Sequence, residues 1–293
     1  MPSQPQTIGV IGLGLLGTAL VERLLEGGFS VLGYDVDMVR GQHLQRIGGI
    51  SASRPKELCD RCERILLSLP DSDISASVIE QVSDSLRAGT TIIDTTTGDP
   101  QQMITIGESL AEHETSYLEA NVAGSSSQVR DGTATVFLGG NPAVIDATES
   151  VLAAIAPKRV HLGALGSASR FKLVHNLILG LHRAVLAEGL HFAESLGFSA
   201  LDALKILRET PAASMVMATK GEKMATRNYD VQARLSQHLK DVRLILQEGE
   251  RVGSRMPLSE LHRQLLERAE SFGFGDADNS AIIEAYLSNP ATD

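Results

Sequence analysis

The segment spanning residues 7–25 constrains the fold of this chain more than any other. Thr7-Ile-Gly-Val-Ile11 is a short apolar run rich in β-formers. It leads without a spacer into Gly12-Leu-Gly-Leu-Leu-Gly17, and Thr18-Ala-Leu-Val-Glu-Arg-Leu-Leu25 continues at helical period. Strand, glycine turn and helix follow one another, and each glycine then has a physical task. Gly12 permits the tight turn, Gly14 lets the backbone approach a pyrophosphate, and Gly17 lets the helix pack close to the strand. The N–H groups at the helix start face the phosphates. Gly12, Leu13, Gly14, Leu15, Leu16 and Gly17 are therefore candidate cofactor-binding residues.

Gly27-Gly28 ends that helix, and Ser30-Val-Leu-Gly-Tyr34 is a second strand. Asp35 closes it, about 20 residues beyond the glycine loop, where an acid binds the ribose 2′-hydroxyl of NAD. Val36, Asp37, Met38 and Val39 follow. A 2′-phosphate would meet two carboxylates here, so NAD is expected, with NADP not excluded. Strands and helices go on alternating. Apolar strands are expected at Arg64–Leu69, Thr91–Asp94, Ser116–Ala120, Thr133–Leu138 and Arg159–Leu162, with helices at Ile74–Leu86, Met103–His113 and Pro142–Ile155. This is the pattern of a doubly wound, mostly parallel sheet over residues 1–163. Ligands bind such sheets at the carboxyl ends of the strands, where polar loops follow Ile11, Leu69, Asp94 and Ala120.

From Gly166 the alternation stops. Helical patterns run from about Phe171 to Leu196, Ala200 to Glu209, Ala212 to Met224, Leu235 to Arg251, Leu258 to Ser271 and Ser280 to Leu287. The expected architecture is an α/β, Rossmann-like, doubly wound N-terminal domain followed by an all-α C-terminal domain at 164–293, opening on a long interdomain helix. Within that helix Lys172, His175 and Asn176 stand at i, i+3 and i+4 and share one face.

The bulk numbers narrow the function classes. The chain has 293 residues and a net charge of -10, without a block of Lys and Arg, which disfavours nucleic-acid binding. No apolar run approaches the roughly 20 residues of a membrane span. Met-Pro-Ser-Gln-Pro-Gln, at the start, has no basic region ahead of an apolar core, so no signal peptide is expected. Cys59 and Cys62 form a lone Cys-x-x-Cys pair with no partner pair for zinc. Two reduced thiols in a cytoplasmic protein, and no metal site, are the expectation.

Taken together, the ordered segments resemble the β-hydroxyacid dehydrogenases, the 3-hydroxyisobutyrate dehydrogenase-like and tartronate semialdehyde reductase-like enzymes, over nearly the whole chain. The resemblance rests on the Gly12–Gly17 loop, Leu69-Pro70, Asp94-Thr-Thr-Thr-Gly-Asp-Pro100, Glu119-Ala-Asn-Val-Ala-Gly-Ser125, the Gly166–Lys172–Asn176 segment, Lys240-Asp241 and Gly273-Phe-Gly-Asp-Ala-Asp278. It implies that the glycine loop and Asp35 hold the adenosine and pyrophosphate. Leu69, Pro70 and Thr97 would line the nicotinamide end, and Lys240 would reach the cofactor. Lys172 would be the acid/base with Asn176 beside it, and Gly124, Ser125 and Ser126 would receive the carboxylate of a small substrate. The implied reaction interconverts a small 3-hydroxy acid and its semialdehyde or keto form by hydride transfer. A homodimer or homotetramer is expected from the apolar helical half.

The departures from the family pattern bear on the substrate. The substrate loop usually reads Asp-Ala-Pro-Val-Ser-Gly-Gly; here Glu119, Asn121, Ala123 and Ser125 differ, and Ala168 stands where glycine is frequent. Lys172-Leu-Val-His-Asn176 also resembles the 6-phosphogluconate dehydrogenases, but the position of their acidic glutamate is Leu179 and the chain is too short for their helical domain. Two alternatives remain: imine reduction on the same fold, against which Lys172 speaks, and a non-catalytic NAD(P)-binding scaffold or sensor.

Overall fold

The computed structural model describes residues 6–287. The stretch read for a signal peptide lies outside them except for its last residue. Two compact units are present, Met1–Lys172 and Leu173–Asp293.

In the first unit the described strands form one eight-stranded sheet. In chain order they are β1 (Thr7–Ile11), β2 (Ser30–Tyr34), β3 (Ile50–Ser51), β4 (Arg64–Leu67), β5 (Thr91–Asp94), β6 (Ser116–Ala123), β7 (Thr135–Gly139) and β8 (Lys158–His161). The spatial order is β3-β2-β1-β4-β5-β6-β7-β8. All neighbours are parallel except β6 and β7, which pair antiparallel with Glu119 opposite Gly139. Strand alternation feeds two cores. Ile8, Val10, Leu66 and Ile93 pack on one face with Leu20 and Leu24. Ile11, Ile65, Leu67 and Ile92 pack on the other with Leu58 and Met103. Both faces are covered, as parallel sheets require.

The helices of this unit are α1 (Leu15–Glu26), α2 (Met38–Arg46), α3 (Lys56–Arg61), α4 (Ser72–Val82), α5 (Pro100–Ala111), α6 (Ser126–Arg130), α7 (Pro142–Ala147) and α8 (Glu149–Ile155). Three expectations need correction. The loop placed after Ala120 is strand through Ala123, because Asn121, Val122 and Ala123 pair with Phe137, Val136 and Thr135 and their backbone groups are satisfied there. The Pro142–Ile155 helix is two helices: the Thr148 hydroxyl donates to the carbonyls of Val144 and Ile145 and competes with continuation. The short edge strand Ile50–Ser51 was not expected, being too brief to show a period.

The second unit is helical. Helix α9 (Ser167–Ser195) enters it after Lys172 and is followed by α10 (Ala200–Arg208), α11 (Met215–Thr226), α12 (Leu235–Arg251) and α13 (Pro257–Ala269). A wide turn of helix at Glu270–Phe274 and a tight one at Asn279–Tyr286 complete it. Leu186, Leu190, Leu204, Val216, Leu239, Val242 and Leu266 centre its core. Asp278 anchors the C-terminal turn, pairing with Lys220 at 2.8 Å and accepting from the N–H groups of Gln232, Ala233 and Ser280. Helix α9 begins one turn earlier than the apolar pattern at Phe171 indicates, for a reason developed below.

Candidate functional site

The glycine turn adopts the conformation its residues demand. Gly12 has φ +94°, and a Cβ there would strike the carbonyl of Ser68; a Cβ at Gly17 would strike that of Gly12. Leu13 and Leu16 turn their side chains into the core, so these two offer backbone only. Leu15 is half exposed. No side chain caps the start of α1. The nearest atom to a Cβ on Gly14 would be Arg40 Nη1, at 3.7 Å, so the approach to the helix start is open. Uncapped N–H groups and open glycine backbone fit a pyrophosphate.

Asp35 sits beside this loop. Its Oδ2 accepts from Leu13 N at 2.7 Å and its Oδ1 from Asp37 N at 2.8 Å. Arg40 Nη1 lies 3.1 Å from Asp35 Oδ2, and Arg40 Nε lies 3.5 Å from Asp37 Oδ2. This arginine reaches back from the first turn of α2, one residue past the Val36–Val39 stretch on which the NAD expectation rests. The two acids and one arginine share the place where a ribose 2′ substituent would be read.

The loops after β4, β5 and β6 are stitched together by side chains. Leu69 N donates to Thr96 Oγ1 at 3.2 Å, and Asn121 Nδ2 donates to Thr96 O at 2.6 Å. Thr96 N donates to Asp94 Oδ1 at 2.8 Å, and Tyr117 donates its hydroxyl to Asp94 Oδ2 at 2.9 Å. Burial pushes the Asp94 carboxyl up, and its donors, Thr96 first, pull it back only in part. Asp94 is thus a hidden brace for the segment that carries Thr97. Thr97 is half-buried and Pro70 exposed, while Leu69 packs against the second core.

Gly124 and Ser125 lead into α6. Ser125 accepts from Gln128 N at 3.3 Å, and Ser125 N donates to Gln128 Oε1 at 2.9 Å, a reciprocal cap. The Ser125 hydroxyl keeps its own proton to donate. Ser126 is buried and Gly124 exposed.

Lys172 is buried, and its Nζ donates to Val122 O in β6 at 2.7 Å. One ammonium proton is thereby engaged by a carbonyl of the strand that leads into Gly124 and Ser125. Three residues earlier on the same strand, Glu119 also meets α9: it accepts from Gly166 N at 2.7 Å and from the Ser169 hydroxyl.

In the helical unit Asn176 is buried and doubly held. Its Nδ2 donates to Asp241 Oδ2 at 2.9 Å, and its Oδ1 faces His175 Nδ1 at 3.0 Å. The carboxylate fixes which end of the amide is nitrogen, so His175 carries its proton on Nδ1. Lys240 Nζ lies 3.0 Å from Asp241 Oδ1. Asp241 therefore organises both motif residues of this unit, a role its place after Lys240 did not reveal.

Cys59 and Cys62 are both buried, and burial pushes each thiol up to about 11. Neither is a thiolate nucleophile near neutrality. Among the described residues no three His, Cys, Asp or Glu side chains gather as a metal site, and no described helix is long and apolar enough to cross a membrane.

Comparison with known proteins bears on both units. A family model described as the NAD binding domain of 6-phosphogluconate dehydrogenase matches residues 7–163. A second, described as NAD-binding of NADP-dependent 3-hydroxyisobutyrate dehydrogenase, matches residues 166–286. Glyoxylate/succinic semialdehyde reductase 1 of Arabidopsis thaliana is 27% identical over 95% of this chain and 97% of its own length. The cytokine-like nuclear factor N-PAC of Drosophila melanogaster is 26% identical over 97% of this chain but only 48% of its own length. In fold, the chain superimposes on 3-hydroxyisobutyrate dehydrogenase from Salmonella typhimurium with a TM-score of 0.90 at 21% identity, covering 96% of this chain and 100% of the other. An imine reductase from Pseudomonas sp. gives 0.68 at 22% identity, covering 97% and 100%.

Proposed function

The chain belongs to the β-hydroxyacid dehydrogenase family of NAD(P)-dependent oxidoreductases acting on CH–OH groups, and from that premise we propose that it interconverts a small 3-hydroxy acid and its semialdehyde, with Lys172 as the acid/base. The observation that carries this reading is the buried Lys172 ammonium held 2.7 Å from Val122 O, two residues before the loop that offers Gly124, Ser125 and Ser126.

When bound, the nicotinamide supplies or accepts the hydride at the carbon that becomes carbonyl or carbinol. The residues of the chain manage the oxygen and its proton. A carbonyl that gains hydride leaves an alkoxide, which an adjacent ammonium stabilises and protonates. Val122 O engages one Lys172 proton and aims the group toward the substrate oxygen. Asn176, one turn further along α9, is the partner hydrogen-bonding group. The substrate carboxylate is received by the backbone and hydroxyls of Gly124, Ser125 and Ser126. The glycine loop and Asp35 hold the dinucleotide, Leu69, Pro70 and Thr97 serve its nicotinamide end, and Lys240 is assigned to the cofactor on its place in the Lys-Asp motif. With Ala123 and Ser125 replacing the usual residues of the loop, the preferred substrate differs from that of the common loop, since a single hydroxyl in a polar pocket shifts selectivity by orders of magnitude.

We further propose a homodimer or homotetramer. Val174, Ile178, Val185 and Phe192 are exposed at 49%, 49%, 71% and 62%. Their spacing places them on one stripe of α9, roughly opposite the Lys172–Asn176 face, where a second copy would cover them. The two free, buried thiols fit a reducing compartment, and the cytoplasm is the proposed location.

The deciding assay is NADH oxidation against a panel of small semialdehydes, with Lys172→Ala as control. Turnover by the parent and its loss in the variant support the proposal. NADH binding without turnover on any carbonyl points instead to the alternative of a non-catalytic NAD(P)-binding scaffold or sensor.

A further inference from the structure

We propose that Glu119 is a positioning residue for Lys172: by anchoring the first turn of α9 to strand β6, it sets where the ammonium stands. The inference rests on the reading of Lys172 as acid/base.

Helix starts leave their first N–H groups without intrahelical partners, and a carboxylate there is favoured by both hydrogen bonding and the helix dipole. Glu119 supplies that carboxylate from the middle of β6, where it is fully buried. Oε2 accepts from Gly166 N at 2.7 Å, Oε1 accepts from the Ser169 hydroxyl, and the N–H groups of Ala168 and Ser169 add to the set. This is why α9 begins at Ser167, ahead of the apolar pattern. Three residues along the same strand, Val122 O receives Lys172 Nζ. One strand thus grips one helix twice, by a side chain at its first turn and by a carbonyl at the lysine. Phe171, between the two grips, meets Phe137 of β7 edge to face with centroids 5.0 Å apart.

The surroundings leave Glu119 little alternative. Gly139 lies opposite it in β7, and a Cβ there would collide with Oε2 and come within 3.0 Å of Ala168 N. Ala168 is fully buried, and its methyl would lie 3.1 Å from that same Cβ. The Glu119 carboxylate is therefore wedged between Gly139 and the first turn of α9, with no room for a side chain at position 139.

The test uses Glu119→Asp and Glu119→Gln in the full-length chain. Each variant is examined for its crystal structure, its NADH dissociation constant, and kcat and KM on the best semialdehyde. The expected result is a Lys172 Nζ displaced from Val122 O, kcat lowered about tenfold or more, and NADH affinity and KM within about threefold of the parent. Glu119→Gln keeps the length but turns an amide N–H toward backbone donors, so it provides the second variant if Glu119→Asp does not fold. A Lys172 Nζ still at hydrogen-bonding distance from Val122 O in both, or kcat within twofold of the parent, overturns the proposal. Should the parent turn over no carbonyl, the acid/base reading fails by itself, while the Lys172–Val122 distance in the variants still decides the role of Glu119.

Discussion

Asn176 Nδ2 donates to Asp241 Oδ2 at 2.9 Å, so a buried carboxylate in α12 dictates how the asparagine amide of α9 is turned. The second oxygen of Asp241 faces Lys240 at 3.0 Å. Asp241→Ala removes both contacts, leaves the Asn176 amide without its orienting partner, and lowers kcat/KM about tenfold or more. Asp241→Asn keeps an acceptor of the same shape and falls between. Steady-state kinetics on both variants check this, and an Asp241→Ala enzyme within twofold of the parent refutes it.

Lys172→Ala removes the proposed proton donor but none of the dinucleotide cradle. The expected loss in kcat is about 10²- to 10⁴-fold, the range of a general acid, with NADH affinity unchanged within about threefold. Stopped-flow hydride transfer and NADH fluorescence titration separate the two effects. A variant that keeps full turnover removes Lys172 from the mechanism.

Cofactor preference is expected to turn on Asp35 and Arg40. Asp35 is neutralised from one side by Arg40 at 3.1 Å and held from the other by Leu13 N at 2.7 Å. Replacing the carboxylate, Asp35→Ser, removes the repulsion toward a 2′-phosphate and releases Arg40 to pair with it. The ratio of NADPH to NADH in kcat/KM rises about tenfold or more. Adding Arg40→Ala cancels most of that rise. An unchanged ratio in Asp35→Ser shows that the ribose is read elsewhere.

His262, buried in the helical unit, gives a pH dependence of stability. Burial, helped by the charge of Arg183, holds its imidazole down at about 4 against the ordinary 6.5. The unfolded chain takes up a proton near 6.5, which the folded chain refuses until about 4. The stability contribution is therefore complete above pH 6.5 and is lost as pH falls toward 4, in total on the order of 3 kcal/mol. Urea unfolding at pH 7 and at pH 4.5 measures it. His262→Gln flattens that part of the profile, and an equal slope in parent and variant assigns the effect to other groups.

The alternation of apolar runs with turns over residues 7–163 makes a doubly wound sheet legible, since a strand buried on both faces and a helix with one apolar stripe differ in period. The Gly12–Gly17 turn and the helical second half are legible for the same local reason. What escaped was the non-local pairing. Asn121–Ala123 reads as loop from composition and is strand because β7 lies beside it. Ser167–Arg170 reads as the approach to a helix and is its first turn because Glu119 reaches it from residues far back in the chain. Arg40 and Asp241 carry no pattern that separates them from ordinary surface charges until their partners at Asp35 and Asn176 are in place.

By itself, then, the sequence determined the two-part architecture, the dinucleotide turn and the presence of Lys172, Asn176 and Lys240 at helical positions, because these follow from steric and hydrophobic periodicity within a few residues. Only the tertiary structure decided which groups hold them: Val122 O on Lys172, Glu119 at the start of its helix, Asp241 on Asn176, Arg40 on Asp35. Buried polar groups must find partners wherever the fold brings them, and that pairing has no local signature to be read.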